Sequence, residues 1–422
     1  MNTRPDELEF TEPERYELHE GPFYHFELSR RDFVATLGVG LVISVAVPSV
    51  FAQQAGRGGR GGGNVSLAQR LHIAADGVIT VFTSKVEVGQ GSRTQLTQAA
   101  AEELHLPVAR IRLVMADTAG PDDGGTAGSR TTPSTVPAIR RAGAAARQLL
   151  IDTAAATFAV EAKDLSVRDG KVEGLPAGKQ FSYADLASEK HADALKRDVA
   201  PGVTVKEVAQ WRVLGTSVPH VGAVEIVTGK HRYPSDITRP GMLYGTILRP
   251  ESYGAKLEGI DLASARALPG VTVVRDGDFV GFTAASSFAA EQARDSAART
   301  AKWTSPSHPS SEELYAHLRA KASDRSRPDK RGTPDEAFRS AAKVLRESYH
   351  IAYIQHAPME PRAAVAEWDG DQLTVWTGSQ QPSRVRRDLA QSLRVPPERV
   401  RVIVPDTGGG FGGKHSSFVC AI

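Results

Sequence analysis

From Ser66 onward, apolar alternation and helical spacing divide the chain into strands and helices. Gly77–Thr83 (GVITVFT) and Ile111–Met115 (IRLVM) are short β-branched runs, the pattern of strands. Between them, Thr94–Leu104 places Leu96, Ala99, Ala100 and Glu103 on one helical face. The alanine-rich stretch Pro137–Phe158 predicts a longer helix. A shift in composition near Pro201–Gln210 precedes a unit running from about Pro219 to Trp303. There, strand-like runs at Gly241–Leu248, Val271–Arg275 and Val280–Ala284 are broken by Gly and Pro turns. Ser305–Pro334 is polar and predicts a surface linker with a short helix. The last unit reads as a helix at Ala337–Leu345, strands at Val344–Ala352, Ala363–Trp368 and Gln372–Thr377, a helix at Arg384–Leu393 and a strand at Val400–Val404. This order is that of a mixed α/β (α+β) multidomain protein. No internal repeat is evident.

The N-terminal region has a different character. Ser29-Arg30-Arg31-Asp32-Phe33-Val34 leads into an uncharged stretch through Leu41, Ile43 and Val47 to Ala52. A twin arginine, a moderately apolar run containing Gly38 and Gly40, and small residues at Val50 and Ala52 fit a twin-arginine export signal, which implies a periplasmic location. The stretch also reaches spanning length, so an uncleaved membrane anchor is the alternative. Residues 1–54 are read as an acidic leader and signal, and residues 55–65 (AGRGGRGGGNV) as a flexible linker. The chain would then continue with an α/β domain at 66–210, a second at 211–305, a linker at 306–334 and a final unit at 335–422. That unit stops in the apolar run Phe418–Ile422 without a capping residue, which reads as a truncated domain.

Composition narrows the chemistry. With 422 residues, 41% hydrophobic and 24% charged, the chain suits two or three globular domains. A formal net charge of +2 gives no reason to expect a nucleic-acid partner. The single cysteine, Cys420, excludes an intrachain disulfide and an iron–sulfur cluster held by the chain's own thiolates.

Three segments concentrate glycine, amides and hydroxyls. Glu87-Val88-Gly89-Gln90-Gly91-Ser92-Arg93-Thr94 is a strand-to-helix turn where glycines admit a ligand to the backbone and the helix start favours an anion. Asp123–Thr132 (DGGTAGSRTT) is dense in hydroxyls and N–H groups, with one fixed charge at Arg130. Each alone reads equally as a tight turn with an N-cap. Together, flanking one strand, they suggest a phosphate or pterin cradle. Thr407–His415 (TGGGFGGKH) matches most of the phosphate-loop pattern, but His415 stands where a Mg²⁺-binding hydroxyl is needed. Five glycines around Phe411 instead suggest a backbone packed on a flat ligand, with Phe411 projecting into a pocket.

The combination resembles the molybdopterin-binding large subunit of the xanthine oxidase/aldehyde oxidase family, most closely the exported branch typified by the isoquinoline 1-oxidoreductase beta subunit. Glu87–Gly91 and Gly125–Arg130 resemble two pterin-contact loops. Val227–Lys230, Pro240–Tyr244 and Ala267–Val271 resemble the hammerhead α/β domain. His356–Pro361 resembles the entry to the first molybdenum-binding domain, and Trp376–Gln380 with Gly408–Lys414 its active-site segments.

That resemblance implies a molybdenum hydroxylase large-subunit fold lacking its second molybdenum-binding domain. It further implies hydroxylation of an aldehyde or N-heteroaromatic small molecule, with water as oxygen donor. Electrons would pass to a small [2Fe–2S] subunit, with a cytochrome c as a further acceptor. The cofactor would be molybdopterin with molybdenum, in the cytosine dinucleotide form, with no FAD in this chain and no direct protein ligand to the metal. Carried over onto this sequence, Gln380 would hydrogen-bond an oxo ligand and Phe411 would lie near the substrate. Gly89, Gln90, Gly91, Thr126, Gly128, Ser129, Arg130, Gly409, Gly410, Phe411 and Gly412 would contact the cofactor. A surface amide and a core aromatic are the plain structural readings of Gln380 and Phe411. His415 replaces the acidic residue that often follows the glycine–lysine pair. The family's catalytic glutamate lies downstream of the glycine segment, so this chain alone is expected to be inactive. A non-catalytic cofactor-binding or assembly module is the alternative function, and an exported binding protein without a redox role the plainest one.

Overall fold

The computed structural model describes residues 40–46, 67–188, 203–323 and 331–415. The twin arginine, the Gly/Arg linker at 55–65 and the apolar terminus at Phe418–Ile422 lie outside the described residues. Of the apolar stretch read as a signal, only Gly40–Ala46 lies within them. Among the described residues no helix is long and apolar enough to cross a membrane. The chain divides into two units, Thr238–Tyr353 and the remainder.

The larger unit begins with a four-stranded sheet. β1 (Gly40–Ala46) pairs antiparallel with β2 (Leu67–Ala74), and β2 antiparallel with β3 (Ile79–Thr83). β3 runs parallel to β4 (Ile111–Met115), so the chain must cross over between them. Helix α1 (Ser92–Leu104) makes that crossing. Its alanines Ala99–Ala101 are fully buried and let α2 (Val136–Phe158) approach closely. At Gly143 of α2, an added Cβ would stand 2.9 Å from the Glu103 side chain. Two short strands, β5 (Ser166–Arg168) and β6 (Lys171–Glu173), follow as a hairpin. Leu96, Ala99 and Ala100, placed on one face by periodicity, lie in this core with Leu104 and Ile139.

Thr238–Tyr353 forms the second unit, with its own smaller core around Val280 and Phe282. β7 (Tyr244–Ile247) pairs with β10 (Phe279–Ala284), which also pairs with β9 (Thr272–Asp276). β8 (Lys256–Gly259) pairs with β11 (Lys302–Thr304). Helix α3 (Ser287–Ala298) buries Ala290, Ala293 and Ala297, and α4 (Leu314–Lys321) follows. Helix α5 (Pro334–Ser340) stops before Leu345. The strand expected at Val344–Ala352 is not formed: those residues carry no strand pairing, and Leu345, Tyr349 and Ile351 are exposed. This unit starts at Thr238 rather than at 211. Residues 211–216 are held by α1 instead, because the Glu102 carboxylate accepts the N–H groups of Arg212, Val213 and Leu214.

After Ile354 the chain returns to the larger unit. β12 (Ala364–Asp369) pairs antiparallel with β13 (Gln372–Thr377), and β13 parallel with β14 (Val400–Ile403) through the crossover helix α6 (Pro382–Leu393). This is the topology of β2–β3–α1–β4 again. Contrary to the sequence expectation, the chain therefore contains an internal repeat. Leu104-His105-Leu106-Pro107 and Leu393-Arg394-Val395-Pro396 each leave the helix through a left-handed residue, His105 (φ 53°) and Arg394 (φ 56°). Each then makes a 3₁₀ turn, a strand and an Asp-Thr pair, Asp117-Thr118 and Asp406-Thr407. The two copies share few identical residues, which hid the relation. They join edge to edge: Thr118 N–H donates to Val402 O at 3.0 Å, and Val404 N–H to Ala116 O at 3.0 Å.

Candidate cofactor site

Each repeat carries a loop after its central strand and another after its last strand. The sequence singled out all of the glycine-rich ones, and the structure brings them together.

The first loop is organised by Glu87, which is buried four residues beyond β3. Its carboxylate accepts the N–H groups of Gly89 (2.9 Å), Gly91 (3.0 Å) and Arg93 (2.8 Å), the last inside the first turn of α1. A protein carboxylate thus occupies the helix start that the sequence suggested for a ligand anion. Gly89 (φ 94°) and Gly91 (φ 75°) are in the left-handed region, and a Cβ on either would meet nothing within 4 Å. The turn needs glycine for its backbone, and it leaves open space beside it. Gln90 is exposed, but its amide is used within the loop. It accepts from Val88 N–H at 2.6 Å and donates to Val86 O at 2.9 Å and Ser92 Oγ at 3.1 Å.

The second loop is anchored by a buried charge network. Asp123 binds the Arg70 guanidinium and accepts from Thr83 Oγ1 (2.6 Å) and Ser84 N–H (3.1 Å). Burial alone would raise the Asp123 carboxyl, but Arg70, Thr83 and Ser84 hold it below the usual range. Lys85, also buried, donates to the carbonyls of Asp123 (2.9 Å) and Gly125 (2.8 Å). Burial pushes its ammonium below the ordinary lysine range, against the opposing pull of Asp123. Thr126 accepts from Val86 N–H through its hydroxyl, at 2.9 Å. Gly128 and Ser129 both have positive φ, and Ser129 and Arg130 are exposed.

Gln380, the residue after Ser379 in the second repeat, ties these loops to the third. Its Nε2 donates to Thr126 O (3.0 Å), its Oε1 accepts from Gly412 N–H (3.0 Å), and its own carbonyl accepts from Thr126 N–H (2.9 Å). The Gln380 side chain, expected to hydrogen-bond an oxo ligand, is buried as a clasp between the loops, with one N–H and one lone pair left over. Close packing explains the glycines around it. A Cβ at Gly410 would stand 2.5 Å from Gln380 Oε1, and one at Gly408 would stand 2.8 Å from Glu360 Cβ. Gly409 (φ 89°) and Gly412 (φ 100°) supply the turn. Phe411 was expected to project into a pocket. It lies 73% exposed, with its ring against Gly409. Beneath the loop, Lys414 is wholly buried and ion-paired with Glu360. Burial raises the nearby Tyr233 phenol, reinforced by the carboxylates of Asp406, Glu360 and Asp236.

The first two loops enclose an open cleft of about 450 Å³. Gln90, Gly91, Thr126, Ser129 and Arg130, five of the residues singled out in the sequence, line it with Gln95, Thr131 and Thr132 from α1 and the turn before α2. Gly89, Gly128 and the third-loop glycines are not among the lining residues. The lining holds no carboxylate and no imidazole. Lys85, Glu87 as an organiser, and the Arg93–Asp406 pair were not expected as functional positions. The charged pair Lys85 and Glu87, two residues apart beside a glycine-rich turn, was the available signal. Among the described residues no group of three or more His, Cys, Asp or Glu is placed to hold a metal ion.

Comparison with known proteins bears directly on this arrangement. Models of a molybdopterin cofactor-binding domain match residues 26–224 and 319–422, which hold every loop described above. A nicotinate dehydrogenase chain of Pseudomonas putida is 30% identical over 84% of this chain, and the match covers 30% of that protein. The membrane-bound aldehyde dehydrogenase (pyrroloquinoline-quinone) of Gluconacetobacter polyoxogenes is 29% identical over 91% of the chain and 52% of that protein. The beta subunit of isoquinoline 1-oxidoreductase from Brevundimonas diminuta is 27% identical over 91% of the chain and 56% of that protein. The chain therefore spans about a third to just over half the length of these relatives. With the two domain models falling on the two repeats and their loops, the chain belongs to the molybdopterin-binding subunits of the xanthine oxidase/aldehyde oxidase family.

Proposed function

We propose that this chain holds the molybdopterin cofactor of an exported oxidoreductase that hydroxylates an aldehyde or N-heteroaromatic substrate. The observation that carries the reading is the cleft between the first two loops. Its hydroxyls, amides and the Arg130 guanidinium suit a polar, phosphorylated ring system. The open space beside Gly89 and Gly91 admits a ligand to the backbone. When bound, the molybdenum cofactor supplies the oxidising chemistry, with water as oxygen donor. This chain's residues bind and orient it. Arg130 offers a fixed positive charge, and Ser129, Thr131 and Thr132 offer hydroxyls. Gln380 keeps the walls in register.

The substrate class is supported by the relatives' names, which specify nicotinate, isoquinoline and aldehydes. The cofactor is proposed in its cytosine dinucleotide form. Electrons leave to a separate [2Fe–2S] subunit and then to a cytochrome c, a route consistent with a single cysteine in the chain. Export by the twin-arginine route rests on Arg30 and Arg31, with an uncleaved anchor as the alternative.

A specific feature also favours a second reading, a non-catalytic cofactor-binding module. The cleft has no carboxylate to move a proton, Glu87 is committed to backbone N–H groups, and Glu360 to Lys414. One experiment separates the readings. The chain is produced in a molybdopterin-competent host, and its molybdenum and pterin are quantified. Aldehyde and N-heteroarene oxidation is then assayed with and without the iron–sulfur partner. Near-equimolar pterin with turnover supports the enzyme, and pterin without turnover supports the module. A chain free of pterin refutes both. Substituting Arg30 and Arg31 by Lys should leave the protein in the cytoplasmic fraction, and unchanged export would refute the signal.

A further inference from the structure

Three residues just beyond β3 carry all three loops, and none of them lines the cleft. Lys85 Nζ collects carbonyls of the second loop, at 2.9 Å from Asp123 O and 2.8 Å from Gly125 O. Glu87 collects amides of the first loop, at 2.8–3.0 Å. Between them, Val86 N–H donates to Thr126 Oγ1, and Val86 O accepts from Gln90 Nε2. The third loop hangs on the same segment, since Thr407 N–H donates to Glu87 O at 2.9 Å. Lys85 and Glu87 are each at most 4% exposed.

Irregular loops ordinarily present their backbone groups to water or to a ligand. Here a buried cation and a buried anion take up those groups instead. We infer that Lys85 and Glu87 are positioning residues, which hold the two cleft loops in ligand-ready shape before any ligand arrives. The division of labour is specific. Lys85 acts on carbonyls of the second loop and Glu87 on amides of the first. The inference rests on the cleft being the cofactor site only for its purpose, because the shape itself is testable without cofactor.

The test is amide hydrogen exchange on the full chain purified free of cofactor. In the wild type, the N–H groups of Gly89, Gly91, Arg93 and Thr126 should be protected. Glu87→Met, which removes both acceptor oxygens, should speed exchange at Gly89, Gly91 and Arg93 by tenfold or more and leave Thr126 within about twofold. Lys85→Met should do the reverse, speeding exchange at Asp123 and Thr126 while sparing Gly89 and Gly91. Lys85→Gln keeps one donor for the carbonyls and is the variant to use if Lys85→Met does not fold; it should give an intermediate rise at the same sites. Two results overturn the inference. One is a variant that loosens both loops equally, the mark of general destabilisation. The other is loops already unprotected in the cofactor-free wild type. Pterin content, measured separately, should fall at least fivefold in both variants. A wild type without pterin would refute the proposed function and leave the exchange result standing.

Discussion

Replacing Gln380 by leucine removes one side chain that joins three loops, and its cost can be worked out group by group. The Thr126 carbonyl loses the donor at 3.0 Å, and Thr126 is only 8% exposed, so water replaces that bond poorly. An orphaned buried acceptor of this kind costs about 1–3 kcal/mol. The Gly412 N–H loses its acceptor at 3.0 Å, but Gly412 is half-buried and can turn to solvent. Its loss is on the order of 0.5–1 kcal/mol. The backbone bonds of Gln380 to Lys414 O and from Thr126 N–H do not depend on the side chain. The expected total is about 1.5–4 kcal/mol, read by urea unfolding with a probe in the larger unit. Amide exchange should localise the loss to Gly412 and its neighbours. Gln380→Glu is the informative companion. It keeps an acceptor for Gly412 and offers no donor to Thr126, so it should protect Gly412 while still destabilising. If Gln380→Leu unfolds within ~0.5 kcal/mol of wild type and Gly412 exchange is unchanged, the clasp does not exist as described.

Gly410→Ala would place a Cβ 2.5 Å from Gln380 Oε1, so it should cost roughly 1–3 kcal/mol in urea unfolding. The penalty should shrink in a Gln380→Ala background, and an equal penalty there would disprove the contact. Asp117→Asn breaks a buried bidentate pair with Arg401, at 3.0 and 2.5 Å, and should destabilise by about 3 kcal/mol or more. Asp117→Ala with Arg401→Met should recover part of that loss. Glu102 gives a pH test. Burial alone would raise its carboxyl, but Lys206 and the N–H groups of Val213, Arg212 and Leu214 lower it to about 2. A folded pKa below the unfolded value means stability that is complete above about pH 4.5 and lost as pH falls toward 2. With solvent screening allowed for, that amounts to about 1–3 kcal/mol. Glu102→Gln should flatten this acid limb in pH-dependent unfolding, and an unchanged limb would refute the assignment.

Local pattern made much of this fold readable. Thr94–Leu104 and Pro137–Phe158 became helices because their alanines and leucines recur at helical spacing, and both bury that face. The short β-branched runs became β3, β4, β13 and β14 because each had a neighbouring strand to pair with. Val344–Ala352 carried the same kind of pattern and paired with nothing among the described residues. Alternation reports fitness for a half-buried surface and cannot supply the surface. In the site, glycine and hydroxyl content gave away Gly91, Thr126, Ser129 and Arg130. It could not give the clasp, since Gln380 meets Thr126 across 254 positions of sequence. Nor could it show that Gln90 turns back on its own loop. Whether an amide faces a ligand or the backbone depends on where the next carbonyl lies, and that is a property of the folded chain.

The internal repeat gives these separate contacts a common logic. Each copy follows its last strand with an Asp-Thr pair, and each pair reaches into the other copy. Asp117 binds Arg401, and Asp406 binds Arg93. Thr118 accepts from Val402 N–H at 2.8 Å, while Thr407 N–H donates to Glu87 O at 2.9 Å. The loop after each Asp-Thr pair then runs toward Gln380. Thr126 comes from one side and Gly412 from the other, and they meet its two amide atoms. Each copy therefore takes some of its loop hydrogen bonds from the other: the second loop from Gln380 and the third from Glu87 O. This couples the cleft walls to the joining of the two repeats. The loops also bury several charges, Lys85, Glu87 and Lys414 among them, in a region with little regular structure. Loops packed against each other expose many backbone groups to a dry interior, and charged side chains satisfy several of those groups at once.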